Sequence, residues 1–344
     1  MPLFPNPVEA AAFRLSVVPP MLADYFGVLG FHSLLAGARL GVFDSLAARP
    51  ATAADLSDNL GLDHHATAVL LRALTGLGYL RERRNRYRLT RCARTWLVRG
   101  EPACLVEGLE FWTRAAAAYW TTLEQAVRDG GPAVPLYTAT EHDPELSRSF
   151  QSWTAALARR QAPATAAAVP VPRGATRLLD VGGGHALYSL ALLDRHPRLH
   201  ATVLDLPQAL ASAAPHPRVT PLPGSFLDAP LGTGYDVVLL VNVLHGLDDD
   251  QAGELLARVA AALNPGGVAV IGDQFRGGPT PGRASRTLLS LLDLNYLAAL
   301  GGRVRTFAEV RALLVNAGFN RPRHRRPLRS PAAELAIATL PTAR

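Results

Sequence analysis

Three consecutive glycines at positions 182–184 follow a short apolar run and precede a stretch with the pattern of a helix. A glycine turn between a strand and a helix lets the backbone approach a ligand closely, because glycine has no Cβ. The third glycine of the dinucleotide pattern G-x-G-x-x-G would fall on Leu187, so the spacing argues against NAD. Asp180 stands two residues before the first glycine. The stretch predicts a ligand-binding turn, with a purely structural turn as the alternative.

A second acid, Asp205, comes directly after the next predicted strand, residues 201–204. At the carboxyl end of such a strand an acid can accept hydrogen bonds from ribose hydroxyls. The alternative is a helix cap or a turn residue, since Leu206 and Pro207 follow. With the glycine turn nearby, we favour the ribose interpretation.

His245 is the candidate catalytic base. It follows the fourth predicted strand, residues 235–241, where catalytic groups lie in sheets of this type. An imidazole titrates near neutral pH and can take the proton from a phenol or another acidic hydroxyl. Asp273, just past the fifth predicted strand, can orient His245 or contact the substrate. The alternative for His245 is a histidine packed beneath a loop.

The remaining acids and the cysteines give no reason to expect a metal. The three acids at positions 248–250 open a predicted helix, where capping and the helix dipole explain them. Cys92 and Cys104 make neither a disulfide framework nor a four-ligand zinc site.

Strand and helix patterns alternate from Thr176 onward. The predicted strands cover residues 177–181, 201–204, 218–220, 235–241 and 268–271, and the clearest helices cover 186–195 and 249–263. Such alternation predicts an α/β domain with a parallel, doubly wound sheet and ligands at the carboxyl ends of its strands.

The N-terminal part has the pattern of a winged helix. A helix over residues 31–43 is followed by a capping-box spacing at Thr52 and Asp55, a helix capped by Asp63 and stopped by Gly78, and two short strands. The helix capped by Asp63 would be the recognition helix of a DNA-binding protein. It offers Arg72 and otherwise mostly apolar or small residues, whereas DNA contacts need more polar side chains. We therefore interpret the domain as a dimerisation module, and only the basic wing supports DNA. We expect Leu34, Leu35 and the apolar face around Leu70 and Leu74 to need a partner surface.

The composition limits the remaining classes. The chain has 344 residues, 49% hydrophobic and 18% charged, which indicates folded domains. All 35 basic residues other than histidine are arginine, so mechanisms that need a lysine, such as a Schiff base or a P-loop, are excluded. We expect no membrane span, no nucleic-acid partner and a cytoplasmic location.

These patterns predict three segments. Residues 1–104 form the winged-helix dimerisation domain, 105–172 a helical connector with substrate-pocket helices, and 173–344 the α/β catalytic domain. Residues 161–174 have the composition of a linker.

Several motifs together give the chain a resemblance to one family. They are Ala38-Arg-Leu-Gly-Val-Phe-Asp44, Leu179-Asp-Val-Gly-Gly-Gly184, Asp205-Leu-Pro207, Val243-Leu-His245, Asn264-Pro-Gly-Gly267 and Arg305-Thr306 ahead of Ala317-Gly-Phe319. From about Phe31 to Phe319, the chain resembles the plant and bacterial O-methyltransferases that join a winged-helix dimerisation domain to a Rossmann-like class I S-adenosylmethionine domain.

The resemblance implies a homodimer that methylates a small aromatic or polyketide-like metabolite, with His245 as general base and Asp273 as its supporting acid. It also implies a set of cofactor-binding residues: Asp180, Gly182, Gly183, Gly184, Asp205, Leu206, Ser225, Phe226 and Asn242.

The sequence departs from the family pattern at five positions. Ala186 replaces the last glycine of the turn, Ser225 replaces an acid that contacts adenine, Asn242 replaces a basic residue, Gly246 replaces an acid after the histidine, and Val304 replaces a second acid near it. These departures keep an alternative open: a tailoring enzyme of this fold that catalyses hydroxylation, decarboxylation or a pericyclic ring closure instead.

Overall fold

The structure is a computed structural model that describes Pro19 and residues 21–277, 282–327 and 334–342. The chain divides into two units, Met1–Glu110 and Phe111–Arg344. The division into three segments, with boundaries after residues 104 and 172, remains a prediction.

The first unit is mainly helical. Its elements are α1 (Met21–Arg39), α2 (Val42–Ala48), α3 (Ala53–Leu60), α4 (His64–Gly76), β1 (Leu80–Arg83), β2 (Arg86–Leu89) and α5 (Arg91–Leu97); α6 (Val106–Ala115) crosses the boundary between the units. The helix predicted over residues 31–43 is two helices. Gly41 lies between α1 and α2 with a φ of 77° and is the N-cap residue of α2. This backbone conformation strains any residue with a Cβ, so glycine suits the break between the two helices.

The predicted helix ends are confirmed. Thr52 and Asp55 form a capping box at α3, and the side chain of Asp63 accepts the N–H of Ala66 at the start of α4. Past the end of α4, the N–H of Gly78 reaches the carbonyl of Thr75 with Gly78 at positive φ.

The first unit has its own core, which corrects the expected basis of the dimer. Leu34, Leu35 and Leu74 were expected to need a partner surface, but they are at most 8% exposed and pack within this unit. Besides Leu40 and Val69, the exposed large apolar residues in the described part of this unit are on the first half of α1: Met21, Leu22, Tyr25, Phe26, Val28 and Leu29. By length and composition alone, α1 could also cross a membrane, whereas the sequence patterns predicted no membrane span.

The second unit begins with helices rich in aromatic residues. After α6 come a π-helical turn (Ala116–Trp120), α7 (Leu123–Asp129), α8 (Leu136–His142) and α9 (Pro144–Ala168). The predicted linker over residues 161–174 was wrong in its first half, because α9 continues to Ala168. Alanines at positions 158, 162 and 166 place a small-residue face against the sheet domain's core, which keeps this stretch helical.

The rest of the second unit is an α/β sheet domain. Its strands are β3 (Arg177–Val181), β4 (His200–Asp205), β5 (Val219–Pro223), β6 (Tyr235–Val241), β7 (Leu263–Asp273), β8 (Asn320–Arg325) and β9 (Glu334–Thr339). The helices are α10 (Leu187–Arg195), α11 (Pro207–Leu210), α12 (Asp249–Ala262), α13 (Gly282–Leu300) and α14 (Phe307–Asn316).

The seven strands have the order β5-β4-β3-β6-β7-β9-β8. The first five are parallel, as predicted, but β9 is antiparallel to β7 and β8 is antiparallel to β9, so the sheet is mixed. The buried run of β9 fills the open edge beside β7. The strand order reverses between β3 and β6, and ligands bind at the carboxyl ends of strands at such a switch point.

Candidate active site

The glycine turn follows β3 at the switch point. Gly182 has a φ of 71°, and a Cβ on it would lie 2.7 Å from Cγ2 of Val243. A Cβ on Gly183 would lie 2.6 Å from the carboxyl carbon of Asp180, and one on Gly184 would lie 2.9 Å from Oε1 of Gln151. Gly182 and Gly183 therefore need glycine because of these contacts, whereas Gly184 favours glycine because of its φ of 38°.

Asp180 lies beneath this turn. Its side chain is 1% exposed and accepts a hydrogen bond from the Ser189 hydroxyl at 2.7 Å. Burial raises the pKa of Asp180 to about 7, with Asp205 adding to the rise and the Ser189 hydrogen bond opposing it. In this geometry the Asp180 carboxyl group packs against Gly183 and so helps to hold the turn in place.

Asp205 ends β4 and is tied to the same turn. Its Oδ2 accepts the N–H of Gly184 at 2.8 Å, and its Oδ1 accepts the N–H of Leu206 at 2.7 Å. Burial raises the pKa of Asp205 to about 6, against the lowering effect of the two backbone hydrogen bonds. Each carboxylate oxygen can accept a further hydrogen bond, because an ionised carboxylate has about four acceptor positions.

Two other expected cofactor residues lie on the turn after β5. Phe226 has ring carbons 3.8 Å from the Cβ position of Gly182, which places it beside the glycine turn. The hydroxyl of Ser225 accepts the N–H of Leu227 at 3.1 Å, so this serine stabilises its own turn.

Asn242 follows β6 and has a φ of 58°, a left-handed conformation that asparagine tolerates better than most residues. Its N–H donates to the carbonyl of Gly272 at 2.8 Å. Its side-chain oxygen accepts a hydrogen bond from Gln274 at 3.4 Å. Asn242 therefore links the ends of β6 and β7.

His245 and Asp273 form a buried pair. His245 lies in a 3-10 turn, Leu244–Gly246, that follows β6, and Asp273 is the last residue of β7. The imidazole Nδ1 is 2.8 Å from Oδ1 of Asp273, whose Oδ2 accepts the backbone N–H of His245 at 3.1 Å. A carboxylate at Nδ1 favours the tautomer with a proton there, which leaves Nε2 as an acceptor. The arrangement can remove a proton from a hydroxyl.

The turn that carries His245 is fixed by the segment before α14. The buried guanidinium of Arg305 donates to the carbonyls of Leu244 and Leu247, and the N–H of Arg303 donates to the carbonyl of His245 at 2.9 Å. A Cβ on Gly302 would lie 1.9 Å from that carbonyl oxygen, so only glycine fits there.

Two tyrosines border the histidine. The ring of Tyr296 stacks on the imidazole with centroids 3.9 Å apart and an angle of 2° between the planes. Tyr137 of α8 packs against Gly246, and burial raises the pKa of each tyrosine above its ordinary value. Sequence patterns indicated neither tyrosine, nor Gln274 and Arg303, and they indicated Arg305 only as part of a motif.

The structure shows the local setting of two of the sequence departures. Ala186 takes a left-handed φ of 60° at the start of α10, a conformation that favours glycine. The N–H of Val304 donates to Asp293 at 2.6 Å, and its side chain is 1% exposed. Within the described ranges, no group of three or more His, Cys, Asp or Glu residues could hold a metal ion.

The sheet order, with a glycine turn after β3 and an acid that ends β4, is that of the class I methyltransferase fold, and the histidine–aspartate pair lies at the carboxyl ends of β6 and β7. A family model of the O-methyltransferase domain matches residues 120–320, and one of the O-methyltransferase dimerisation domain matches residues 25–99. The chain belongs to the O-methyltransferase family and is an S-adenosylmethionine-dependent methyltransferase.

Individual relatives agree with this assignment. The chain is 31% identical to 3-hydroxy-5-methyl-1-naphthoate 3-O-methyltransferase of Streptomyces sahachiroi, covering 93% of this chain and 94% of the relative. It is 32% identical to acetylserotonin O-methyltransferase of Mus musculus, covering 88% and 83% respectively. The fold is similar to that of human N-acetylserotonin methyltransferase in complex with S-adenosylmethionine, with a TM-score of 0.83, 24% identity and coverage of 94% and 97%.

The residues at the switch point fit S-adenosylmethionine. A Cβ on Gly184 would crowd Oδ2 of Asp205 at 3.4 Å, and Asp205 has acceptor capacity for two ribose hydroxyls beside the glycine turn. An adenine ring could pack on Phe226, and Asp180, which is 1% exposed beneath the turn, stays a predicted cofactor-binding residue.

Proposed function

We propose that this enzyme methylates a hydroxyl of a small aromatic or polyketide-like secondary metabolite, with His245 as general base. The observation that carries the proposal is the His245–Asp273 pair, because a buried carboxylate at Nδ1 leaves Nε2 free to accept the proton of the hydroxyl. The two curated relatives act, by their names, on a hydroxynaphthoate and on acetylserotonin, which supports an aromatic acceptor.

Different residues of the chain have different roles in the reaction. His245 accepts the hydroxyl proton at Nε2, and Asp273 stabilises the imidazolium that results. S-adenosylmethionine, when bound, supplies the methyl group that the acceptor oxygen takes. Asp205 holds the ribose, and the glycine turn with Leu206, Phe226, Ser225 and Asn242 borders the rest of the cofactor. Positioning and proton removal account for the acceleration.

Aromatic side chains of the second unit support an aromatic acceptor. The rings of Trp112 and Trp153 lie 5.2 Å apart, edge to face, and Trp120 approaches Trp112 at 6.0 Å while its indole N–H donates to Asn295. Trp120 is half exposed. Phe111 contacts both Trp112 and Phe150, and Tyr137 contacts Phe150 and the turn with His245 at Gly246. Such a cluster offers stacking surfaces to a planar ring.

We also propose a homodimer in the cytoplasm. The dimerisation-domain match and the exposed apolar half of α1 support self-association through an isologous contact. We propose neither a nucleic-acid partner nor a membrane partner.

Calorimetry and product mass test the proposal. We expect the purified protein to bind S-adenosylmethionine, and phenolic acceptors to gain the mass of one CH₂ when incubated with it. Asp205→Asn should weaken binding. Asp236→Asn is the matched control, because Asp236 binds the backbone of Thr176 and Arg177 at the opposite end of the sheet. A product that lacks the CH₂ would instead support a non-methylating reaction.

A further inference from the structure

Tyr296 stacks on the imidazole ring of His245. The two rings are 3.9 Å apart between centroids and only 2° from parallel, so the whole face of the imidazole rests on the phenol ring. Tyr296 comes from α13, whereas His245 follows β6 and Asp273 ends β7. Three separate elements therefore determine the position of the imidazole.

The tyrosine ring is itself fixed at both ends. Its hydroxyl donates to Oε1 of Gln274 at 2.7 Å, and the backbone N–H of Gln274 donates to Oδ1 of Asp273 at 2.9 Å. Its backbone carbonyl accepts the N–H of Gly302 at 3.3 Å, next to the close contact between Gly302 and His245. Tyr296 is thus tied to the same carboxylate and the same turn as the histidine.

The two contacts of the imidazole fix different degrees of freedom. The hydrogen bond to Asp273 fixes the position of Nδ1, but the ring can still rotate about that point. A flat ring packed on its face removes this rotation and so sets the direction in which Nε2 points. A base must be within hydrogen-bond reach of the proton that it removes, and a misplacement of about 1 Å can cost about 100-fold in rate.

We propose that Tyr296 is a positioning residue, whose ring holds the imidazole plane of His245 so that Nε2 faces the acceptor hydroxyl. This inference rests on the proposed function, in which His245 is the base. As the acceptor O–H bond breaks and the Nε2–H bond forms, the imidazole becomes a cation. The face of the tyrosine ring also attracts that cation.

The test compares Tyr296→Leu with Tyr296→Phe. The leucine variant loses the flat ring, whereas phenylalanine keeps it and loses only the hydrogen bond to Gln274. We expect Tyr296→Leu to lower kcat by about 10- to 100-fold, with KM for the acceptor and affinity for S-adenosylmethionine nearly unchanged. We expect Tyr296→Phe to retain kcat within about 3-fold of the wild type.

A spectroscopic readout separates positioning from general destabilisation. With ¹⁵N-labelled histidine, the Nδ1–H that bonds to Asp273 should give a proton signal sheltered from exchange, identified by its absence in His245→Ala. The signal should persist in Tyr296→Phe and broaden or vanish in Tyr296→Leu. Tyr235→Leu, which removes a buried tyrosine at the opposite end of β6, should leave it unchanged. If Tyr296→Leu does not fold, Tyr296→Met removes the ring while keeping a flexible apolar chain.

Three outcomes would overturn the inference. They are an unchanged signal and kcat in the ring-deleting variant, an equal loss in Tyr296→Leu and Tyr296→Phe, and the loss of the signal in Tyr235→Leu. Failure of the proposed function is a separate result, seen as methyl transfer that survives His245→Ala. In that case the signal would still report whether Tyr296 orders the imidazole.

Discussion

Asp205 joins the glycine turn to the proposed ribose site through one carboxylate. Because the Gly184 and Leu206 N–H groups already preorganise it, ribose binding requires little rearrangement. Asp205→Ala should remove two hydrogen bonds to a charged group and cost on the order of 1.5–3 kcal/mol of binding free energy. Calorimetry should show S-adenosylmethionine affinity reduced by about 10- to 150-fold. An unchanged affinity would make Asp205 purely structural.

The same carboxylate predicts a pH dependence. Burial raises the pKa of Asp205 to about 6, and only the ionised form can accept hydrogen bonds from two ribose hydroxyls with both oxygens. The affinity for S-adenosylmethionine should therefore be at its maximum above pH 6. It should fall as the pH drops through this value, by up to tenfold per pH unit.

Asp205→Asn is the control for this titration, because it keeps an acceptor oxygen and removes the ionisation. Asp180 still titrates in that variant, with its pKa lowered by the loss of the Asp205 charge, so the pH dependence that remains belongs to Asp180. Parallel profiles for both proteins would contradict the assignment.

At the residue scale, His245 and Asp273 could be predicted because each stands at the end of a recognisable strand, where this fold places catalytic groups. Tyr296 could not, since its contact with His245 joins α13 to the turn after β6, and sequence periodicity says nothing about which elements meet. Gly302 was missed for a related reason: its need for glycine comes from the carbonyl of His245, which is distant in sequence.

At the element scale, the hairpin of the first unit places like charges opposite one another. Arg81 pairs with Arg88 and Arg83 with Arg86, all four on one face, and Arg84 and Asn85 form the turn at positive φ. Like charges directly opposite on adjacent strands destabilise a sheet by about 0.2–1 kcal/mol per pair.

Arg88→Glu should therefore strengthen the hairpin, because it replaces a repulsive pair with an attractive one. We expect amide exchange in β1 and β2 to slow by about 1.5- to 5-fold at low salt, and by less at high salt. Arg88→Gln removes the repulsion only and should give a smaller effect. Faster exchange in Arg88→Glu would show that Arg88 has an attractive partner.

Elements with strong local signals could be predicted, and those set by tertiary packing could not. The capping residues of α3 and α4 act within a few residues, so the sequence contains the whole interaction. The sequence did not indicate where α9 ends, because an alanine-rich stretch with prolines has the composition of a linker. Its helical structure depends on packing against the sheet domain. The antiparallel strands β8 and β9 were missed because one is rich in arginine and neither continues the strand–helix alternation.

At the scale of the whole molecule, the exposed apolar half of α1 is the surface that the proposed dimer should cover. Phe26→Glu places a charge in this surface once per protomer, so an isologous dimer loses the burial of two phenylalanines. At about 1.5 kcal/mol or more for each, the dissociation constant should rise by at least about 100-fold.

Light scattering should show the wild type as a dimer and Phe26→Glu as a monomer at low micromolar concentration. Val315→Glu is the matched control, because Val315 is half exposed on α14 and lies outside the dimerisation-domain match. A wild-type monomer, or a dimer that survives in Phe26→Glu, would contradict this interface.

The central claim is that a methyltransferase fold uses His245 as the base for O-methylation. The most direct measurement is single-turnover methyl transfer by His245→Ala, with S-adenosylmethionine affinity measured on the same sample. Turnover should fall by a factor of roughly 10²–10⁴ while cofactor affinity stays nearly intact, since Asp205 and the glycine turn remain. Asp273→Asn should lower turnover less, because it orients the base and is not itself the base. Methyl transfer that survives His245→Ala at the wild-type rate would contradict the account.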